Sequence, residues 1–222
     1  MTEIKSDTFQ FLKQLSGNNN REWFIEHKKQ HDFAREDVLQ FVSKIIRGLS
    51  EIDNQIPADL NAKDCVMRIY RDIRFSKDKT PYKTNFGAHI SPKGKNINGP
   101  GYYLHISPSE CFVAGGCWMP PADQLKSIRQ EIDYNGADLR QILAKPGFKK
   151  FYTGLDSTEK LKTTPKGYPA DHPEIELLKL KSFTLSHSIA SKELEGPDAV
   201  KKVLDAFAQL YPFIAFLRNA LA

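Results

Sequence analysis

Six cationic side chains recur at intervals of two to four residues between Val66 and Lys83. They are Arg68, Arg71, Arg74, Lys77, Lys79 and Lys83. Arginine can grip a phosphate or carboxylate through two parallel hydrogen bonds, and lysine adds a compact positive charge. Pro81 restricts the backbone nearby, which lowers the entropy cost of presenting these donors. The pattern therefore predicts a binding site for an anion.

The charge balance of the chain points to the same segment. The 222 residues carry a net charge of +5, and residues 64–99 hold eight Lys and Arg against three Asp, which accounts for the whole excess. A net charge of this size is modest, but its concentration in one place favours an anionic partner. We therefore expect a phosphate-bearing ligand, either a nucleotide or a nucleic acid.

The segment begins with the alternation of a β-strand. One face would carry Met67, Ile69, Ile73 and Phe75, and the other would carry Arg68, Tyr70, Asp72 and Arg74. Strict alternation places Arg71 on the apolar face, where a buried guanidinium needs a paired acid or a bulge in the strand. We expect one of these two arrangements at Arg71.

Three functions fit this pattern. The favoured one is binding of a phosphate-bearing ligand, with Arg68 and Arg74 as anchors and the ring of Tyr70 or Tyr82 as a stacking surface. The second is an enzyme acting on a phosphorylated small molecule; its candidate acids and bases are Asp72, Asp78 and His105. The third is a structural or interaction module without a ligand, in which the cations pair with neighbouring Asp residues and keep a sheet edge soluble.

Hydrophobic periodicity predicts the elements that position the segment. A short N-terminal helix ends at Gly17, and Asn19 or Asn20 caps a second helix. Apolar residues at helical spacing between Val38 and Leu49 predict a long amphipathic helix. We interpret these N-terminal helices as packing elements.

The hydrophobic period changes to two residues between Val66 and Trp118. Tyr102–Ser107 and Cys111–Trp118 are separated by three residues, which is the length of a hairpin connection. Connections this short indicate antiparallel pairing, because a parallel crossover needs a dozen or more residues.

The C-terminal part returns to helical spacing. Pro197 stands at the first position of a helix, which Pro212 should kink or interrupt. With 40% hydrophobic and 27% charged residues, the composition is that of a globular protein. The sequence predicts an α+β fold, with residues 1–222 as a single domain. We expect an antiparallel sheet of about five strands flanked by N-terminal and C-terminal helices.

Motifs for metals and cofactors are poorly matched. The glycine-rich loop around Gly94 lacks the Ser or Thr that binds magnesium in a phosphate loop. His89, His105 and His187 fall on separate predicted strands, which is typical of ordinary sheet residues. We expect neither a metal nor a cofactor.

The cysteines and the N-terminal residues bear on location. Cys65, Cys111 and Cys117 are odd in number and lack metal-ligand spacing, which is typical of reduced thiols. The first residues contain no apolar signal segment, and no run approaches about 18 apolar residues. We expect a cytoplasmic protein with no membrane contact, and the sequence does not predict its oligomeric state.

The chain resembles a family of bacterial and fungal proteins known as domain of unknown function 2461. The resemblance is carried by the segment RIYRDIRFSKDKTPYK (Arg68–Lys83) and by the later segments GYYLHIS and FVAGGCWMP. The resemblance extends to NNREWFIEHK and the terminal helix, so it covers nearly the whole chain. It implies a single-domain protein and carries over no catalytic residue. The positions that define it are Arg68, Arg71, Arg74, Lys77, Asp78, Lys79, Pro81, Tyr82 and Lys83.

Overall fold

The computed structural model describes residues 3–96 and 99–222, and for residue 96 the backbone alone. The helices, in chain order, are α1 Ser6–Gly17, α2 Arg21–Glu26, α3 Lys28–Ile52, α4 Ala62–Cys65, α5 Ala122–Ala144, α6 Pro146–Phe151, α7 Ile175–Leu178, α8 Ser191–Leu194 and α9 Ala199–Asn219. The strands are β1 Phe86–Ile90, β2 Gly101–Ile106, β3 Cys111–Cys117 and β4 Phe183–Ile189.

α1 and α3 pack against each other because each has one apolar face. The apolar side chains that the periodicity predicts to face inward are buried. They are Phe9, Leu12 and Leu15 in α1, and Val38, Phe41, Val42, Ile45, Ile46 and Leu49 in α3. A buried carboxylate joins the two helices, since Asp37 Oδ2 accepts hydrogen bonds from the Thr8 hydroxyl at 2.7 Å and the Lys5 amide at 2.9 Å.

The strands form one antiparallel sheet in the order β1-β2-β3-β4. His89 of β1 is half-buried, and the other four residues of this strand are buried. The predicted α+β class is confirmed, and the described residues contain four strands against the expected five or so.

The segment predicted as the first strand of the sheet makes only isolated pairings. Val66 pairs with Ala88 of β1, and Tyr70 pairs with Tyr82. Residues 68–83 therefore turn back on themselves, and we call them the basic hairpin. Two backbone hydrogen bonds close it, from the Arg71 amide to the Pro81 carbonyl at 2.9 Å and from the Lys83 amide to the Ile69 carbonyl at 2.7 Å.

Two aspartates explain why the basic hairpin bends instead of extending the sheet. Asp78 Oδ1 accepts a hydrogen bond from the Thr80 amide at 2.9 Å, and Asp72 Oδ1 accepts one from the Arg74 amide at 3.3 Å. Such local side-chain bonds compete with a strand ladder and favour turns. Exposure still alternates up to Arg74, but Phe75, expected on the apolar face, is 95% exposed.

The C-terminal helix α9 contains Pro212 in its interior and is not interrupted there. Buried apolar residues lie on both sides of the proline, including Phe207, Leu210, Phe213 and Ile214. Their burial favours the helix over the break that Pro212 alone would cause.

The chain forms two compact units. The first comprises Met1–Asn96, Tyr103–Val113 and Ser188–Asp205, and the second comprises Ile97–Tyr102, Ala114–His187 and Ala206–Ala222. The basic hairpin and helices α1 to α4 belong to the first unit. The expectation of a single domain over residues 1–222 stays a prediction.

Candidate anion-binding site

The basic hairpin and the α2 region line a cleft of about 600 Å³, which we call the α2–hairpin cleft. Its cations are Arg21 and Lys28 from the helical side and Arg71 from the hairpin. Its aromatic residues are Phe24, Tyr70 and Tyr82. A concave surface with several cations and aromatic rings can bind an anion that also carries a flat apolar group.

Two asparagines just before α2 hold the walls of the cleft in place. Asn20 caps the helix by accepting a hydrogen bond from the Trp23 amide at 2.9 Å. The Asn19 side chain donates to the Tyr82 carbonyl at 2.9 Å and accepts from the Tyr82 amide at 3.1 Å. This paired contact fixes the start of α2 against the basic hairpin. The two residues that the sequence offered as alternative caps thus have separate roles.

The aromatic rings form the floor of the cleft. Phe24 and Tyr82 stack with their ring centroids 4.0 Å apart, and they are 3% and 5% exposed. Burial raises the pKa of the Tyr82 hydroxyl. The ring centroid of Tyr70 lies 5.5 Å from that of Tyr82, and Tyr70 is 52% exposed. Of the two predicted stacking surfaces, Tyr70 is accessible to a ligand and Tyr82 is part of the packed floor.

Arg71 has the acidic partner that its position demanded. Its Nη1 lies 2.5 Å from Asp78 Oδ2 and 3.1 Å from the Thr80 carbonyl oxygen, and it also contacts the Thr80 hydroxyl. Hydrogen bonds from the Thr80 amide and then from Arg71 lower the pKa of Asp78 to about 2. Asp78 is therefore a carboxylate at neutral pH, committed to holding the hairpin closed.

Two further cations of the basic hairpin are also engaged inside it. Arg74 donates to Asp72 through two bonds, Nε to Oδ1 at 2.9 Å and Nη2 to Oδ2 at 2.7 Å. These bonds lower the pKa of Asp72 and raise that of Arg74. Lys79 Nζ donates to the Ile73 carbonyl at 3.0 Å. The guanidinium of Arg74, predicted as an anchor for the ligand, thus already grips a carboxylate.

The remaining three predicted cations differ in this respect. Within residues 3–96 and 99–222, the side chains of Arg68, Lys77 and Lys83 have no hydrogen-bonding or ion-pair partner. Arg68 and Lys77 are exposed, while Lys83 is half-buried. Burial, and then the charge of Arg68, lower the pKa of Lys83. These three cations are the members of the predicted set whose charge is left for a ligand.

His105, predicted as a supporting residue, lies on β2 among sheet residues. Its Nδ1 is 3.2 Å from the Tyr103 hydroxyl and 3.5 Å from Asn85 Nδ2, and its ring stacks on Phe112. Burial lowers its pKa. In the described part of the chain, its partners are thus all outside the basic hairpin.

Sequence reasoning missed the contribution of the α2 region. Arg21 and Lys28 bring positive charge to the cleft, and Phe24 supports the stacked floor. The N-terminal helices were expected only to pack. The one available signal was the asparagine pair Asn19-Asn20 directly before a short helical segment flanked by cations.

A second concavity of about 660 Å³ lies beside α1 and the residues around α8. Its charged residues, Lys13 and Glu195, have opposite signs, and its aromatic residue Phe9 is buried. It therefore lacks both the excess charge and the exposed ring of the α2–hairpin cleft, which is the better candidate despite its slightly smaller volume.

Two other kinds of feature bear on the class of protein. Among the residues that the structure describes, no three His, Cys, Asp or Glu side chains come together as metal ligands would. Over those residues, too, no helix combines the length and the apolar character needed to cross a bilayer.

Comparison with known proteins identifies a family for the chain. No curated protein and no solved structure shows significant similarity to the chain. A family model with the description "Conserved hypothetical protein (DUF2461)" matches residues 7–216, which include α2, the basic hairpin and all four strands. Because the match covers nearly the full length, the chain belongs to this family of conserved hypothetical proteins.

Proposed function

We propose that the protein binds a phosphate-bearing ligand with a planar base, a nucleotide or a nucleic acid, in the α2–hairpin cleft. One observation carries the proposal: the exposed ring of Tyr70 lies in the same concavity as the cations Arg21, Lys28 and Arg71. An aromatic face can stack on a base, and neighbouring cations can neutralise its phosphates. Sugar phosphates share the charge of nucleotides but lack a flat ring, so Tyr70 would discriminate against them.

The cations differ in whether they already have partners within the protein. Four cations have no hydrogen-bonding or ion-pair partner among the described residues, so ligand contacts would not break bonds within the protein. Arg21 lines the cleft, whereas Arg68, Lys77 and Lys83 lie elsewhere on the basic hairpin. Arg71 is fixed by Asp78 and Thr80, which orients it at the wall of the cleft. Orientation before binding favours affinity because less side-chain entropy is lost.

An enzyme acting on a phosphorylated small molecule is the weaker alternative. General acid–base catalysis is most efficient with a group whose pKa lies near the working pH. The pKa of Asp78 is about 2, and hydrogen bonds from Arg74 lower that of Asp72 as well. His105 is held by Tyr103 and Asn85. The cleft therefore offers charge for binding more readily than a group for proton transfer.

A structural module is the second candidate, and a specific observation favours it. Arg71, Arg74 and Lys79 all bond to groups within the basic hairpin. In this view the cations serve only to hold the hairpin together. The unpartnered cations and the exposed Tyr70 ring have no role in it, which is why we favour ligand binding.

The test is a thermal-shift assay with ATP, a sugar phosphate, and short RNA and DNA strands, each at low and moderate salt. A ligand at 100 times its Kd stabilises the folded state by about 2.7 kcal/mol. We expect ATP or an oligonucleotide to raise the Tm of the wild-type protein. The Arg21→Ala/Tyr70→Ala variant should lose this shift.

The matched control is Arg47→Ala/Tyr134→Ala, which removes the same residue types from exposed positions outside the cleft. The control should keep the full shift. No shift with any ligand, or an equal shift in both variants, would overturn the proposal and leave the structural module in its place. Salt dependence separates a polymer from a single nucleotide, since each phosphate contact of a single strand makes the slope of log K against log salt more negative by about 0.7.

We also propose that this binding takes place in the cytoplasm. The support is chemical: Cys65, Cys111 and Cys117 are all free thiols and buried. Proteins of oxidising compartments usually pair their cysteines in disulfides, whereas free thiols are typical of reducing compartments.

A further inference from the structure

Phe75 is the most exposed large apolar side chain of the basic hairpin, at 95%. It lies in the loop formed by residues 73–79, which we call the hairpin tip. A lone exposed apolar residue is common on protein surfaces, but a nearly fully exposed phenyl ring within a basic loop is a candidate contact surface.

The hairpin tip is held by bonds of its own. The Ser76 amide donates to the Ile73 carbonyl at 3.4 Å, and Lys79 Nζ donates to the same carbonyl at 3.0 Å. The Arg74 guanidinium lies 5.8 Å from the centroid of the Phe75 ring, within the range of a cation–π contact. The ring is therefore presented on a bonded loop beside a cation that is itself oriented by Asp72.

The hairpin tip, like the α2–hairpin cleft, has an exposed aromatic ring near cations. In the cleft, the exposed ring of Tyr70 lies among cations, and at the tip Phe75 has Arg74 and the unpartnered Lys77 near it in the loop. Phe75 follows Tyr70 by five positions, a stretch that an extended backbone spans in at most about 18 Å. A single strand that reaches both rings can therefore stack a separate base on each.

We infer that the ligand is a single-stranded nucleic acid that stacks one base on Tyr70 in the cleft and a further base on Phe75 at the hairpin tip. This inference rests on the proposed function and names its ligand class. Arg68 and Lys77 supply charge for the phosphates of the strand. A duplex fits poorly, because its bases are already stacked on one another and present only their edges.

The positive charge and the small apolar area of the hairpin tip favour a nucleic acid over a lipid surface as the partner. A membrane-surface element needs a broad apolar face on one side of a helix or loop. At the hairpin tip the single phenyl ring shares the loop with Arg74, Lys77 and Lys79, and Ile73 is only partly exposed. This arrangement offers too little apolar surface for an interfacial anchor.

The experiment measures fluorescence anisotropy with a 12-nucleotide single strand, as DNA and as RNA, and competition by ATP. Phe75→Ala should weaken binding of the single strand by roughly five-fold or more, because stacking on one base contributes about 1–3 kcal/mol. The Kd of ATP, which reaches only the cleft, should not change. Phe75→Leu keeps an apolar side chain without an aromatic face and should behave as Phe75→Ala does.

Tyr134→Ala is the matched control, since it removes an aromatic ring that is 73% exposed elsewhere on the surface. It should bind the single strand as the wild type does. Equal binding of the single strand by Phe75→Ala and the wild type would overturn the inference while leaving ATP binding, and so the proposed function, intact. A wild-type protein that binds neither ATP nor any oligonucleotide would overturn both.

Two further arms address other partners. Anionic phosphatidylserine vesicles that bind the wild type but not Phe75→Ala, without any oligonucleotide binding, would overturn the inference in favour of a membrane contact. A duplex of the same length that binds as tightly as the single strand would also overturn it. Weaker duplex binding supports stacking as the source of affinity.

Discussion

The arginines of the basic hairpin show how one residue type serves two purposes. Arg71 Nη1 lies within reach of Asp78 and of both oxygens of Thr80. The side chain of Arg68 is exposed and has no hydrogen-bonding or ion-pair partner among the described residues. Arg71 therefore supports the hairpin at the wall of the cleft, and Arg68 is unpaired and available to a ligand.

This division predicts different effects of two alanine substitutions on stability. Arg71→Ala should lower the free energy of unfolding, because it leaves Asp78 and the Thr80 oxygens without their donor. Arg68→Ala should change that free energy by no more than about 0.5 kcal/mol, as is usual for an unpartnered surface residue, and should weaken ligand binding. Urea denaturation of both variants checks the first effect, and the thermal-shift assay checks the second. Equal losses of stability would contradict the division.

At the level of secondary structure, the start of α2 decides the shape of the cleft. Asn20 caps the helix, while Asn19 bonds to both backbone groups of Tyr82. The second contact joins residues 63 positions apart in the sequence. This contact fixes the position of α2 relative to the basic hairpin, and so fixes the two walls of the cleft relative to each other.

Separate substitutions of the two asparagines should therefore have different consequences. Asn20→Ala removes the cap and should cost about 1 kcal/mol of stability. Asn19→Ala should also weaken ligand binding, because the hairpin loses its attachment to α2. Asn18→Ala is the control, since its side chain donates to the Gln14 carbonyl in α1, away from the hairpin. Denaturation and ligand titration of the three variants give the comparison, and unchanged ligand affinity in Asn19→Ala would contradict the assigned role.

Across the whole molecule, stability should depend on pH through buried histidines. His31 is 7% exposed and lies near the rings of Phe11, Phe24 and Phe86. Its Nδ1 lies 2.9 Å from Asp32 Oδ1, and its Nε2 is buried without a hydrogen-bonding partner among the described residues. Burial lowers the pKa of His31, an effect opposed by Asp32 and reinforced by Lys28 and Arg35.

The sign of the effect follows from proton uptake. The unfolded chain binds a proton at His31 below about pH 6.5, while the folded protein keeps the ring neutral to lower pH. The free energy of unfolding should therefore fall as the pH drops from about 7 to 5, before most carboxylates titrate. His31→Phe should reduce this slope. Part of the slope should remain in the variant with the same sign, because burial also lowers the pKa of His89 and His105. Urea denaturation at several pH values gives the slope, and an unchanged slope in His31→Phe would contradict the assignment.

The concentration of charge also predicts how binding responds to salt. The whole excess of +5 lies within residues 64–99. Lys77→Ala should make the slope of log K against log salt for a single strand less negative by about 0.7, because one phosphate contact is lost. Arg47→Ala, a change of the same charge outside this region, should leave the slope unchanged. Titrations at several salt concentrations give both slopes, and equal slopes for Lys77→Ala and the wild type would remove Lys77 from the binding surface.

Much of the fold could be predicted because its signals are local. The apolar spacing between Val38 and Leu49 predicts α3, and the period of two residues predicts β1 to β3. The basic segment was found the same way, from residue types and their intervals. The bend of this segment was missed, because Asp72 and Asp78 bond to nearby amides in place of a ladder.

Local signals in the sequence predict α3, β1 to β3 and the place where positive charge accumulates, since each depends on neighbours within a few residues. The contacts of the folded chain, by contrast, determine which cations are free for a ligand and which are paired. The tertiary structure also brought Arg21 and Lys28 beside Tyr70, and left Phe75 in solvent. These outcomes depend on contacts between distant residues, such as Asn19 with Tyr82, and such contacts leave no periodic trace in the chain.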